Sequence, residues 1–179
     1  MQEFHWRPGI GDPTIGGWVT VGLYALAAIS VFRTLRAVER PGEGAFWRGI
    51  FIMLVLLGIN KQLDLQSALT DLGRILAFLQ GWYAQRQTVQ VWFILGVAAV
   101  CLLVAIALLV LARKAPAPTW VALIGMAIVL AFVLIRAASF HHIDRFISAR
   151  ILGLKWNWVL EMGGLSVVLL GSEWRRRRV

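Results

Sequence analysis

The chain has one cysteine and only nine acidic residues among its 179. The lone thiol, Cys101, excludes an intrachain disulfide and a thiolate metal cluster, and its place in an apolar stretch makes it a small packing residue. A signal peptide of the usual form is missing: residues 1–14 hold Glu3, Pro8, Asp12 and Pro13 where a basic start and an apolar run are required. The first apolar segment is therefore expected to be retained. No internal repeat and no Ser/Gly-rich linker divides the sequence, so residues 1–179 are expected to form a single helical domain. The missing repeat also argues against the common carrier architectures.

What the chain has in excess is apolar surface. Hydrophobic residues make up 59% and charged residues 15%, with a mean hydropathy of +0.74, more than one small soluble core could bury. The expected fold class is all-α, an integral membrane helical bundle of about five transmembrane helices plus an outer amphipathic helix, because a helix satisfies its own backbone hydrogen bonds where there is no water.

Five segments are candidate spans: 16–32, 46–60, 89–111, 119–135 and 156–170. The first follows Asp12-Pro13-Thr14, where Asp12 or Thr14 can cap a helix and Pro13 suits a first turn. The second falls short of the roughly 20 residues a span needs and is expected to continue as helix into polar sequence. The third and fourth flank Arg113-Lys114-Ala115-Pro116-Ala117-Pro118, a basic turn whose prolines break the helix, and should form an antiparallel hairpin. The fifth is interrupted by Glu161 and carries Gly163, Gly164 and Ser166, small residues that permit close helix approach.

A net charge of +9 could suggest nucleic acid, but much of it lies beside span ends, at Arg33, Arg36, Arg40, Arg48, Arg113, Lys114, Arg175, Arg176, Arg177 and Arg178. The expected contact is with anionic headgroups of the lipid bilayer, with no nucleic-acid partner. These residues share one side of a five-span threading, which predicts an inner cell membrane protein with the N-terminus outside and the C-terminus cytoplasmic. Trp6, Trp18, Trp82, Trp156 and Trp158 would then line the outer headgroup zone, and Trp47, Trp120 and Trp174 the inner one.

The same threading gathers His5, His141, His142, Asp12, Asp64, Asp71, Asp144 and Glu161 at the outer face. Asn60, Asp64, Ser67, Asp71 and Arg74 form a polar stripe at helical spacing, with Lys61 beside it. Facing the bundle, Asn60 and Asp64 enter a partly dehydrated site where a carboxylate needs a cation, a metal or a proton. Facing water, the stripe is the wet side of an interfacial helix whose Leu63, Leu69, Leu72, Leu76 and Leu79 pack inward. The segment 136–145 is the densest polar cluster. There the neutral imidazoles of His141 and His142 can ligate metal or shuttle protons, with Asp144 fixing a tautomer; alternatively Arg136 and Arg145 simply bind lipid phosphates. Adjacent histidines diverge by about 100° on a helix, so both reach one ion only where the backbone unwinds. Asn157, Glu161 and Gly164 follow one line on the last span. A carboxylate there costs on the order of 2.5–3.5 kcal/mol on insertion scales and demands an interior partner, for which Arg136, at similar depth, is the candidate.

The pairing of Asn-Lys-Gln-Leu-Asp-Leu-Gln at 60–66 with Arg-x-x-Ser-Phe-His-His-x-Asp at 136–144 resembles small multi-pass bacterial membrane proteins of no assigned activity. That resemblance implies a membrane bundle and no mechanism. The histidines, aspartate and serine also look similar to the zinc site of membrane hydrolases related to alkaline ceramidases. Those have seven spans and a paired His-x-x-x-His helix motif that this chain lacks, so their ligands are not carried over.

Two main functions of different class follow. A binding or accessory protein would use Asn60, Lys61, Arg136, Asp144 and Asn157 to recognise a lipid headgroup, a lipid-like ligand or a membrane protein partner. A small membrane hydrolase acting on a lipid-like substrate would use His141, His142 and Asp64 as ligands of a divalent metal or as bases, with Glu161 as proton carrier. A transporter component is a third class, and a haem is disfavoured by too few histidines on facing spans.

Overall fold

The computed structural model describes residues 13–63, 72, 73, 75, 76, 79, 81, 86–138, 150, 151 and 154–179. Among them the helices α1 (Ile15–Ala37), α2 (Pro41–Leu63), α3 (Arg86–Ala112), α4 (Ala117–Ala138) and α5 (Trp156–Arg176) follow in order, with a short antiparallel pairing of Arg150 with Lys155 and Ile151 with Leu154 just before α5. Four of them, α1 to α4, are long and apolar enough to cross a membrane. The result is the membrane-embedded all-α bundle that the composition demands.

The fifth expected span corresponds to α5, which at 21 residues is about 31 Å long at 1.5 Å per residue. It is less apolar than the others because it carries Glu161, Glu173, Arg175 and Arg176, and its largest interfaces are with α4 and α1. An interior helix can be polar where its neighbours satisfy it.

Local chemistry sets the ends. Thr14 is the N-cap of α1, its Oγ1 accepting from the Gly17 amide at 3.1 Å, so Pro13 stands just before the cap rather than in the first turn. Helix α2 starts at Pro41, whose missing N–H costs nothing in a first turn, and runs 23 residues to Leu63. Its opening turn, with Gly42, Glu43 and Gly44, supplies the length that segment 46–60 lacked. Between α3 and α4 the Ala115 amide donates to the Ala112 carbonyl at 2.8 Å and the Thr119 amide to the Pro116 carbonyl at 3.0 Å, closing the expected hairpin turn.

The core joins Tyr24, Ala27 and Val31 of α1, Phe46, Trp47, Ile50 and Leu54 of α2, Met126 and Val129 of α4, and Leu165 and Val168 of α5. The outside is apolar as well, with Leu26, Ile29, Ile52 and Leu56 exposed and only 6% of the apolar window of α3 buried. Leu72, Leu76 and Leu79 are helical and exposed, unlike the inward packing of the reading in which the stripe faces water. The polar stripe of the same segment, Asp64, Ser67, Asp71 and Arg74, lies outside the described residues.

The closest helix contact is between α4 and α5. A Cβ on Gly125 would lie 2.6 Å from the Val168 amide nitrogen, and one on Gly171 2.6 Å from that of Ala122. Gly164 is equally confined, its Cβ position 2.7 Å from Val129 Cγ2, whereas Gly163 faces open space. Gly125→Ala and Gly171→Ala should each lower stability by about 1–3 kcal/mol, since backbone has to move, while Gly163→Ala should be neutral or stabilising by up to about 1 kcal/mol. Unfolding by denaturing detergent measures this; an unaffected Gly125→Ala protein would contradict the close approach.

Candidate functional site

All five helices contribute to one cavity of about 210 Å³. Tyr24 comes from α1, Leu57, Asn60 and Lys61 from α2, Phe93 and Val97 from α3, Phe132, Val133, Arg136 and Ala137 from α4, and Glu161 from α5. At its centre Glu161, 2% exposed, takes two partners. Lys61 Nζ donates to Oε2 at 3.1 Å and the Tyr24 hydroxyl donates to Oε1 at 3.3 Å. Tyr24 is on the buried stripe of α1 that also carries Thr20, Ala27 and Val31. Gly58 of α2 leaves room for it, since a Cβ there would lie 3.3 Å from that of Tyr24. Lys61 follows Leu57 by four residues and so shares its face of α2, where burial of its methylene stem is favourable.

The ion pair differs from the one expected. Among the described residues the salt bridge to Glu161 comes from Lys61, and Arg136 lines the same cavity without being its bridging cation. As expected, α2 continues as helix into the polar sequence, and its run to Leu63 keeps Lys61 inside the bundle. Tyr24 was missed because an aromatic ring in an apolar span gives no sign of what its hydroxyl meets.

Asn60, Lys61, Arg136 and Glu161 are thus brought together. Asn157 lies in the first turn of α5, its side chain outside the described set. His5, Asp12, Asp64, Asp71, Arg74, His141, His142, Asp144 and Arg145 lie outside the described residues, and with them the proposed metal ligands and bases. Among the described residues no three His, Cys, Asp or Glu side chains converge as a metal site.

A second buried carboxylate lies at the other end of the bundle, where none was foreseen. Glu43, 4% exposed, accepts through Oε1 from Arg175 Nε at 2.6 Å, Thr119 Oγ1 at 2.9 Å and Trp47 Nε1 at 3.3 Å, and through Oε2 from Arg175 Nη2 at 3.1 Å. Two-point contact of this kind is the strongest geometry available to a guanidinium. Arg175 is therefore held by protein rather than by lipid headgroups, and Trp47 is wholly buried rather than part of an aromatic belt. Beside this cluster the hydroxyls of Ser30 and Ser172 share a hydrogen bond of 2.8 Å, and Thr34 Oγ1 donates to the Ser172 carbonyl at 3.0 Å. Past the expected span, the hydrogen-bonded Arg176 holds the Glu173 carboxyl far below its ordinary range, at about 2.

No protein-family model, no curated protein and no solved structure matches this chain. Chemically, the cavity offers an ammonium, a guanidinium, a carboxylate, a phenol and an amide above an apolar wall, which is equipment for holding a polar group inside a membrane.

Removing one member of a buried ion pair leaves the other charge unpaired, so Lys61→Met and Glu161→Gln should each cost about 3–5 kcal/mol. In double-mutant cycles on unfolding, the Lys61–Glu161 coupling should be about 0.5–3 kcal/mol and exceed that of Arg136 with Glu161; the opposite ranking would return the pair to Arg136. At the other end Arg175→Met should be similarly costly, whereas exposed Arg177→Met should stay within about 0.5 kcal/mol. Equal effects of the two arginine substitutions would mean that the Glu43 clasp does not form.

Proposed function

We propose that this is a membrane-embedded binding protein that takes the polar end of a lipid-like ligand into the cavity at Lys61, Arg136 and Glu161. The observation that carries this reading is the mixed lining of that cavity, in which Asn60, Lys61, Arg136 and Glu161 stand among Leu57, Phe93, Val97, Phe132 and Val133. An amphiphile combines the matching polar and apolar parts. Ionisable groups within a bundle mark binding or transport paths by default, because their insertion is otherwise unfavourable, and binding sites combine an apolar lining with a few fixed polar groups.

The end opposite the cavity supports an orientation. Arg33, Arg36, Arg40, Arg48, Arg113, Lys114, Arg176, Arg177 and Arg178 are all exposed there, and basic residues next to spans favour the cytoplasmic side. We place the C-terminus in the cytoplasm and the cavity toward the outer face of an inner cell membrane.

Native mass spectrometry of protein released from lipid nanodiscs tests the binding. Wild-type protein should retain a lipid, and Lys61→Met and Arg136→Met proteins that keep their helical content should lose it. Equal retention by all three, or no retention at all, would overturn the reading. A reporter fused after Val179 should be active only in the cytoplasm; activity outside would reverse the orientation.

A further inference from the structure

The end of the bundle opposite the cavity repeats one local arrangement on two helices. The hydroxyls of Ser30 in α1 and Ser172 in α5 meet at 2.8 Å, and the Thr34 hydroxyl reaches the Ser172 carbonyl at 3.0 Å. Tyr24 and Glu161, which precede these serines on the two helices, also meet, so α1 and α5 run in the same direction. Onward from the serine contact, an aromatic ring follows after two residues and an arginine after six on each helix: Phe32 and Arg36 on α1, Trp174 and Arg178 on α5. Equal counts from a shared contact put the two rings at one level, with the two arginines beyond them.

On both helices the guanidinium lies over the ring, 5.8 Å from the Phe32 centroid and 4.8 Å from that of Trp174, within the range of a cation–π attraction. Phe32 is 43% exposed and Trp174 41%, and both arginines are exposed. Among the described residues no carboxylate pairs with Arg36 or Arg178, whereas Glu43 holds Arg175 and Glu173 holds Arg176 and Arg177. Toward the middle of the helices the surface is aliphatic, with Leu26 and Ile29 exposed on α1 and Leu170 on α5. From there outward it passes through an aromatic level to a cationic one. A phospholipid leaflet has the matching order of acyl chain, glycerol backbone and phosphate, and aromatic rings favour its headgroup level. A soluble acidic partner would match the cations alone.

We propose that the ends of α1 and α5 bind anionic phospholipids, with phosphate groups at Arg36 and Arg178 and the glycerol and upper acyl segments against Phe32 and Trp174. A guanidinium suits this role because its planar fork gives phosphate two parallel hydrogen bonds, and a ring beneath it limits the positions that fork can take. The band is separate from the cavity and stands independently of the ligand proposed there.

The test titrates the full chain in detergent with dioleoylphosphatidylglycerol and, separately, with dioleoylphosphatidylcholine, and reads lipid affinities by native mass spectrometry. All the substituted side chains are exposed, so the variants should keep wild-type helical content. A lipid held in the cavity is common to them all and drops out of the comparison. Wild-type protein should prefer phosphatidylglycerol, and Arg36→Gln combined with Arg178→Gln should reduce that preference by about fivefold for each arginine. Arg176→Gln combined with Arg177→Gln removes the same formal charge and should cost less. Trp174→Ala, which changes no charge, should weaken phosphatidylglycerol binding by about two- to fivefold. Equal losses from the two arginine pairs, or an unaffected Trp174→Ala protein, would mean that diffuse charge attracts the lipid and would overturn the band. Polyglutamate binding more tightly than phosphatidylglycerol, with the same dependence on Arg36 and Arg178, would assign the face to an acidic protein and overturn the lipid.

Discussion

A carboxylate buried in an apolar bundle has to bring its own cation, and in this protein that requirement is met twice on the same pair of helices. Helix α2 contributes Glu43 near its start and Lys61 near its end; α5 contributes Glu161 near its start and Arg175 near its end. The two helices run in opposite directions and are clasped at both ends. They are not among the extensively packed helix pairs, so only long side chains bridge them. Eighteen residues of α2 rise about 27 Å and fourteen of α5 about 21 Å, and the reach of lysine and arginine takes up the difference. Between apolar helices in lipid there is little hydrophobic drive to choose one register over another. Two ion pairs at a fixed separation supply that choice, since sliding α5 by one turn would leave charge unpaired at both ends.

The small residues of α4 and α5 make this clasp close tightly. Gly125, Gly164 and Gly171 bring the two backbones together along most of the interface, which fixes the depth at which Glu161 and Arg175 meet their partners. Helix α1 completes the set from its other side, sending Tyr24 to Glu161 and Ser30 and Thr34 to Ser172. At the cavity Glu161 is thus held by Lys61 and Tyr24, and at the opposite end Ser172 is held by Ser30 and Thr34. Such positioning is what a binding site for a polar group requires, because the cost of orienting its donors is met in folding rather than on binding.

Much of this was legible in the amino-acid sequence, and the limits of legibility are physical. Hydropathy found the spans because the bilayer imposes a length and a composition, and Glu161 announced itself because charge within a span is rare. Partner choice was not legible: depth along a helix can be counted, but whether Lys61 or Arg136 reaches across depends on helix rotation and side-chain reach. Glu43 escaped notice for a related reason. It sits where a hydropathy count sees a loop, and only the helical continuation back to Pro41 places it, with Trp47 one turn on, inside the bundle. Arg175 was hidden by its three identical neighbours, since a run of arginines reads as one basic tail although a single member of it faces inward.

The same energetics decide where such a bundle can open. Drawing α5 away from α2 would strip two buried carboxylates of their cations and expose them to hydrocarbon, a change costing several kcal/mol per charge. Drawing α3 away exchanges apolar contacts with α2 and α4 for apolar contacts with lipid tails, which are nearly equivalent in a bilayer. Among the described residues no ion pair or side-chain hydrogen bond involves α3, and only 6% of its apolar window is buried. The ion pairs at Glu161 and Glu43 therefore hold α2 and α5 together, and, among the described residues, moving α3 breaks no ion pair.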